Sequence, residues 1–297
     1  MARLSLVQAA DHTFYIPAPT NVGIYVDDRV AILIDSGSDK DAGRQIYKLI
    51  NEQGWELKMI VNTHSNADHI GGNAFLQQKT GCAIAATKNE AAFINNPLLE
   101  VAFLYGGFPY PDLNNKFLVA KPSQVTDIIS SCGKIKETSL EAVPLPGHFF
   151  EMIGIKTPDD IFFTADSLFP ENIIAKYHLF FLFDLENHFQ TLDRLEELEA
   201  GLYIPGHGKI MHSLDRLIEI NRAKVKEILD FLADVCTGNL TFEQIMAETC
   251  LRYGIILNPA QHVLVSSTIR SYLAYLVSAG LVSYSFDGGR MIWTANQ

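Results

Sequence analysis

At 297 residues, 48% of them apolar and 19% charged, the chain is long enough for a layered α/β domain with a sizeable core and a smaller companion. Its 34 acidic and 23 basic side chains leave a net charge of −11, which argues against a polyanion as the default partner. Met1 to Gln8 soon meets Asp11 and His12, and no apolar run approaches the roughly 18 residues that a membrane span needs. Cys82, Cys132, Cys236 and Cys250 are widely spaced, so the expectation is a cytoplasmic protein without a disulfide framework or membrane contact.

In chain order, residues 21–26 and 29–35 read as two apolar strands joined by a tight polar turn. Ser38 or Asp39 is placed to cap a helix carrying Ile46, Leu49 and Ile50 at helical spacing, and this helix is expected to stop near Gly54. Leu57 to Asn62 reads as a buried strand that delivers the segment Thr63-His64-Ser65-Asn66-Ala67-Asp68-His69 from its end. A short helix after Gly71-Gly72 and a strand at residues 82–86 continue the alternation. Residues 94–123, interrupted by Pro97, Gly106-Gly107, Pro109, Pro111 and Pro122, read equally as a cover for a site or as a plain surface connection.

Strand signals resume at 142–145, 152–156 and 161–164, followed by a helix with Phe189, Leu192, Leu195 and Leu198 in phase and Gly201 as its stop. A short strand at 202–204 precedes Pro205-Gly206-His207-Gly208. From Leu214 the pattern turns helical: one long amphipathic element, a second helix opened by the capping sequence Thr241-Phe242-Glu243-Gln244, and a third over roughly 263–278. A hairpin turning at Asp287-Gly288-Gly289 closes the chain. Three helices and a hairpin resemble a winged-helix module, so the expected division is a larger α/β domain at 1–213 and a winged-helix-like domain at 214–297.

The chemistry-bearing residues stand where strands end. His64, Asp68 and His69 follow the first buried strand, His148 follows Pro146-Gly147, Asp166 follows 161–164, and His207 lies in the Pro-Gly-His-Gly turn. Imidazole nitrogens and carboxylate oxygens suit zinc, iron or manganese, and donors at strand ends can point into one pocket. Single histidines such as His12, His188, His212 and His262 read as surface or hydrogen-bonded core residues. Asp35 reads either as a brace for the metal loop or as an ordinary strand-ending turn.

On these motifs, over about residues 10 to 210, the chain resembles the metallo-β-lactamase superfamily, whose signature T-H-x-H-x-D-H precedes later His, Asp and His ligands. The resemblance implies a four-layer αββα sandwich with a dinuclear site at one edge of the two sheets. It implies His64 and His148 at a first metal position, Asp68, His69 and His207 at a second, and Asp166 bridging them. Asn66 stands where the family's middle histidine is usual. Its amide oxygen can coordinate a hard ion but is a weaker zinc ligand than imidazole, and a loop-stabilising amide is an equal reading. One or two zinc ions are expected, with iron or manganese as alternatives, and the second position is expected to be the more secure.

The implied activity is hydrolysis of an ester, thioester, lactone or related small molecule by a metal-bound hydroxide, with Asp68 orienting the nucleophile or taking its proton. The competing readings are a ligand-binding or regulatory protein with a weakened first position and, below it, a di-iron oxidoreductase or a nuclease. Residues 215–297 carry eight acidic and seven basic side chains, and Arg270 is the sole cation of the expected third helix, so packing or a homodimer contact is expected there rather than nucleic-acid binding. Among the aromatic residues, Tyr177-His178 is the pair best placed to face a pocket.

Overall fold

A computed structural model describes residues 3–296; Met1, Ala2 and Gln297, which bound the expected domains, lie outside the described residues. Among the described residues, β1 (Val7–Gln8), β2 (Thr13–Ile16), β3 (Val22–Asp27), β4 (Val30–Ile34), β5 (Glu56–Val61), β6 (Ala83–Ala86) and β7 (Asp127–Ile128) form one sheet in sequence order. A second sheet runs in the reverse order, from β12 (Leu202–Pro205) through β11 (Ile161–Ala165), β10 (Ile153–Lys156) and β9 (Glu141–Pro144) to β8 (Gly133–Lys134).

The period of two along each strand decides the layering. Ile32 and Ile34 of β4 face Ile155, Ile161 and Phe163 of the second sheet, while Leu33 on the opposite face packs with Ile46 and Ile50 of α1 (Lys40–Glu52) and Leu76 of α3 (Asn73–Thr80). On the far side, Phe162 and Tyr203 pack with Leu192 and Leu195 of α7 (Leu185–Glu197) and Ile218 of α8 (Asp215–Val235). The four layers are therefore α, β, β and α. Strands covered on both faces read as continuous apolar runs, which is why residues 57–61 and 161–165 show little alternation.

Local chemistry sets the turns. Asp28 and Arg29 both adopt positive φ, 43° and 72°, the type I′ geometry that matches the strand twist of a two-residue hairpin. Asp39, rather than Ser38, caps α1 by accepting from the backbone of Asp41 and Ala42. Residues 94–123 are not a plain surface connection: after α4 (Lys88–Asn95), which carries buried Glu90, α5 (Leu98–Tyr105) and a 3-10 turn (Pro111–Leu113) fold there, and Glu100 of α5 is buried. Gly201 is not the stop of α7, which ends at Glu197 with Leu198 extended; Gly201 N–H instead donates to Asp160.

The C-terminal part orders as α8, β13 (Leu240–Thr241), α9 (Phe242–Tyr253), α10 (Pro259–Ser278), β14 (Val282–Asp287) and β15 (Arg290–Ala295), with the strands paired β13-β15-β14. Thr241 and Gln244 form the expected capping box on α9. Short β13, pairing through Leu240 and Thr241, has no counterpart in the sequence pattern because two residues carry no period. Its core is continuous with the main body: Val225, Ile228 and Leu232 of α8 and Ile269 and Leu273 of α10 pack with Leu182, Leu185, Phe180 and Ile174, the last from α6 (Glu171–Tyr177). No helix among the described residues is long and apolar enough to cross a membrane.

Asn221, fully buried on α8, accepts from Phe169 N–H at 2.9 Å and donates to Phe169 O at 2.9 Å, tying α8 to the loop that follows Asp166. Asn221→Leu strands both backbone groups without a partner, so it is expected to lower stability by about 1–3 kcal/mol in chemical denaturation. An unchanged midpoint would show that the link contributes nothing to stability.

Candidate metal centre

Strand directions bring the donors to one edge. β11 and β12 are parallel with Ala165 opposite Pro205, so Asp166 and His207 emerge side by side just beyond the last pair. β9 points the same way, since both β9 and β11 run antiparallel to β10, and its loop brings His148 to that edge. The two sheets meet there through Ile153 N–H, which donates to Thr63 O at 3.0 Å beside the His64 segment. Asp68 and His69 lie on the single-turn α2 (Ala67–Ile70).

All four imidazoles turn the same nitrogen inward. Nδ1 of His148 faces Phe181 O at 2.8 Å, and Nδ1 of His207 faces Pro19 O at 2.6 Å. Nδ1 of His69 faces Asp35 Oδ2 at 2.8 Å. Nδ1 of His64 faces Thr63 Oγ1 at 3.0 Å, and that hydroxyl donates its own proton to Asp35 Oδ2 at 2.8 Å. With an acceptor at every Nδ1–H, the Nε2 lone pairs are left for the centre. Nε2 of His64 and of His69 and Oδ1 of Asp166 are buried without a hydrogen-bond partner, although buried polar atoms are normally satisfied.

Two groups of donors result, His64 with His148 and Asp166, and Asp68 with His69 and His207, each with its donor atoms within 4.8 Å of one another. Asp166 lies between them: its Oδ2 is 3.0 Å from His207 Nε2 and 3.8 Å from His148 Nε2, and its Oδ1 is 3.2 Å from His69 Nε2. The geometry, the orphaned lone pairs and the mixed nitrogen and oxygen donors fit a divalent cation. Asn66 joins the first group, its Oδ1 lying 2.8 Å from His148 Nε2.

The electrostatics of the side chains alone divide the histidines into two kinds. Burial pulls His64 well below the usual imidazole range and lowers His148 too. Burial acts in the same sense on His69 and His207, but the Asp166 carboxylate, joined by Asp35 and Asp68 for His69 and by Asp68 for His207, outweighs it. His69 is held well above its usual value and His207 is pushed up to about 9. Burial opposes ionisation of Asp166, yet His207 and His69 hold it well below the usual carboxylate range. Protons thus compete for the positive positions, and a metal has to displace them.

The surroundings fix these groups. Asp35, at φ 62°, accepts from Thr63 N–H at 2.8 Å, so it braces the metal loop and orients His69 at once. Thr20 Oγ1 donates to Asp68 Oδ2 at 2.7 Å, and Asn21 Nδ2 donates to Pro205 O and Gly208 O at 2.8 and 2.9 Å, clamping the His207 turn. A Cβ on Gly206 would meet Asp166 Oδ1 at 2.0 Å, so glycine is required for the carboxylate to sit there. Burial pushes Glu90 up to about 7 and Glu100 up to about 8; Glu90 accepts from Ser65 N–H at 2.9 Å and Glu100 from Asn66 Nδ2 at 2.7 Å.

Glu90, Glu100, Thr20 and Asn21 are absent from the sequence-based site. One signal exists for the glutamates: each heads an apolar pattern at i+1 and i+4, Glu90 with Ala91 and Ile94, and Glu100 with Val101 and Leu104, which puts a carboxyl on a buried face. The Tyr177-His178 pair does not act as expected, for His178 stacks on Tyr253 at 5.5 Å and Lys176 covers the Tyr177 ring at 4.7 Å. His188 also departs from expectation: it is fully buried with neither ring nitrogen hydrogen-bonded, and burial pulls it down to about 3, so it stays neutral.

A family model described as the metallo-beta-lactamase superfamily matches residues 15–207, a span that contains every donor named above. The chain belongs to the metallo-beta-lactamase superfamily. Among its relatives is a hydroxyacylglutathione hydrolase of Nitrobacter hamburgensis, 27% identical over 161 residues that make up 54% of this chain and 52% of that protein. The chain spans about half the length of that relative. A beta-lactamase domain protein from Burkholderia ambifaria superposes over 98% of this chain and 94% of its own with TM-score 0.74 at 17% identity. A metallo-beta-lactamase family protein from Thermus thermophilus does so over 100% and 99%, also with TM-score 0.74, at 18% identity. The superfamily sandwich and the helical C-terminal part thus recur together as a fold.

Three measurements check the centre. Glu90, Glu100 and His207 hold protons more tightly folded than unfolded, so their contribution to stability is complete below their ordinary values of 4.5, 4.5 and 6.5 and is lost as pH rises through about 7, 8 and 9. The melting temperature of the metal-free protein is therefore expected to fall between about pH 6 and about pH 9. Zinc titration near neutral pH should release protons; a flat profile without proton release would contradict the assignment. Gly206→Ala is expected to displace Asp166 and lower zinc affinity by about tenfold or more, read by competition with a chelating dye.

Proposed function

We propose that this chain is a metal-dependent hydrolase of a small acyl substrate, with a thioester as the leading class. The observation that carries the reading is the convergence of four Nε2 atoms and two carboxylates on one strand edge, with His64 Nε2 buried and unpartnered. The naming of the Nitrobacter relative as a hydroxyacylglutathione hydrolase supports the thioester class.

His64, His148 and Asn66 would hold a first cation, Asp68, His69 and His207 a second, and Asp166 would bridge. Zinc is the expected ion, since imidazole dominates the donor set, and the second position is expected to fill first because it carries a carboxylate of its own where the first has a neutral amide. Bound there, a divalent cation supplies acidified water and polarisation of the acyl oxygen. Of the two carboxylates Asp68 is the one open to solvent, its side chain 41% exposed against 5% for Asp166. Its carboxylate takes a proton from the attacking water and returns it to the departing sulfur as the C–O bond forms and the C–S bond breaks. Thr20 holds Asp68 Oδ2 in place for that transfer.

The division at 213/214 and the winged-helix-like character of the C-terminal part belong to the same reading. They rest on the order helix, strand, helix, helix, hairpin. Arg270, the cation of α10, lies over the Phe242 ring at 3.8 Å, a contact within this part that supports packing or self-association rather than nucleic-acid binding.

A binding-only protein is the second reading, favoured by the neutral Asn66 at the first position. A panel of acyl thioesters, esters and lactones separates the two. Chelator-sensitive turnover is expected, and Asp68→Asn should lower kcat by about 10²–10⁴-fold. If the zinc-loaded protein turns over no member of the panel, the hydrolase reading falls.

A further inference from the structure

Asn66 can offer the centre either of two nearly isosteric groups, an acceptor oxygen or a donor NH2, and half a turn about its last bond exchanges them. Only the oxygen can serve a cation. The neighbour that tests the choice is His148, whose Nδ1–H is taken by Phe181 O, leaving an Nε2 lone pair 2.8 Å from Asn66. Left to itself, an amide beside an imidazole lone pair would turn its NH2 inward and close a hydrogen bond. That would consume the lone pair and place N–H groups where the ion belongs. Yet the oxygen faces His148, so two acceptors stand 2.8 Å apart, an arrangement that a cation between them would reconcile.

What holds the amide against this preference is Glu100. Its Oε1 accepts from Asn66 Nδ2 at 2.7 Å on the side away from the centre. Glu100 is buried, and burying a carboxyl for a single amide contact is expensive unless the contact serves a purpose. Ten residues earlier on the preceding helix, Glu90 fixes the backbone of the same loop at Ser65. One glutamate thus sets the loop and the other sets the amide.

We propose that Glu100 is a positioning residue that locks the Asn66 amide with its oxygen toward the centre, making Asn66 an oxygen donor to the first cation position. This rests on the reading of the centre as a metal site, and it adds the device by which an amide replaces the usual imidazole there. Glu100 touches neither substrate nor reacting atoms.

The test is a titration of the metal-free full chain with Zn2+ by calorimetry and with Co2+ by visible absorption, both without substrate. Wild type is expected to bind in two steps. Glu100→Leu and Glu100→Met, which offer no acceptor, should weaken the second, weaker step by about tenfold or more and leave the tighter one unchanged, whereas Glu100→Gln, whose Oε1 can accept the same bond, should retain both. Using two apolar replacements guards against one that fails to fold. Asn66→Ala should weaken the same step, and adding Glu100→Leu to it should cost nothing further.

The inference is overturned if the apolar variants bind both ions as wild type does, if Glu100→Gln loses the step as they do, if the losses in the double variant add, or if wild type binds one ion and Asn66→Ala does not alter it. Two-step binding that depends on Glu100, in a protein that hydrolyses nothing, would sink the hydrolase reading and leave this one standing. Chelator-sensitive hydrolysis with binding indifferent to Glu100 would do the reverse.

Discussion

Asp166 is an anion buried at the edge of two sheets, and the surrounding arrangement serves to keep it balanced. A carboxylate removed from water demands opposite charge close by, and here it has His207 at 3.0 Å and His69 at 3.2 Å. Those imidazoles carry protons when no cation is bound, so the same geometry that stabilises the metal-free fold is a template for a divalent ion. The parallel pair β11 and β12 makes this possible, because it delivers Asp166 and His207 at adjacent strand ends.

Around that charge lies a shell of orientation. Asp35, Thr63, Phe181 O and Pro19 O each occupy an Nδ1, and in doing so they choose which nitrogen of every histidine faces inward. The braces come from far along the chain: Pro19 and Asn21, in the loop between β2 and β3, secure the turn that carries His207 at the end of the second sheet. The two sheets cannot slide without disturbing the centre, so the integrity of the sandwich and the alignment of the donors are one property. Gly206 shows the same coupling at atomic scale, where a single methyl group would collide with Asp166.

The C-terminal helices are not an appendage to this arrangement. Asn221 of α8 grips Phe169, three residues beyond Asp166, and Phe169 in turn packs at 5.6 Å from His148. His178 and Tyr253 stack across the same boundary. The C-terminal part therefore shares an apolar cluster with residues 169–185 of the main body, and Phe169 of that cluster lies beside His148.

The sequence by itself marked the strand ends and the histidines and carboxylates that stand at them, while the four-layer sandwich followed from the family resemblance those motifs carry. Apolar runs such as 57–61 mark strands buried on both faces, and His64, Asp68, His69, His148, Asp166 and His207 each follow one. The period of two and turn chemistry are local properties, so they are legible in a linear string. What only the tertiary structure decided is which atom of each residue faces which. The choice of Nε2 over Nδ1, the role of Asp35 as a brace rather than a turn, and the grip of Glu100 on Asn66 depend on partners tens of residues away. A buried glutamate in phase with an apolar stripe, at residues 90 and 100, hinted that residues 94–123 were more than a connection. Its meaning appeared only when α4 and α5 packed against the metal loop, because a hydrogen bond of 2.7 Å is a statement about position in space, not about position in the chain.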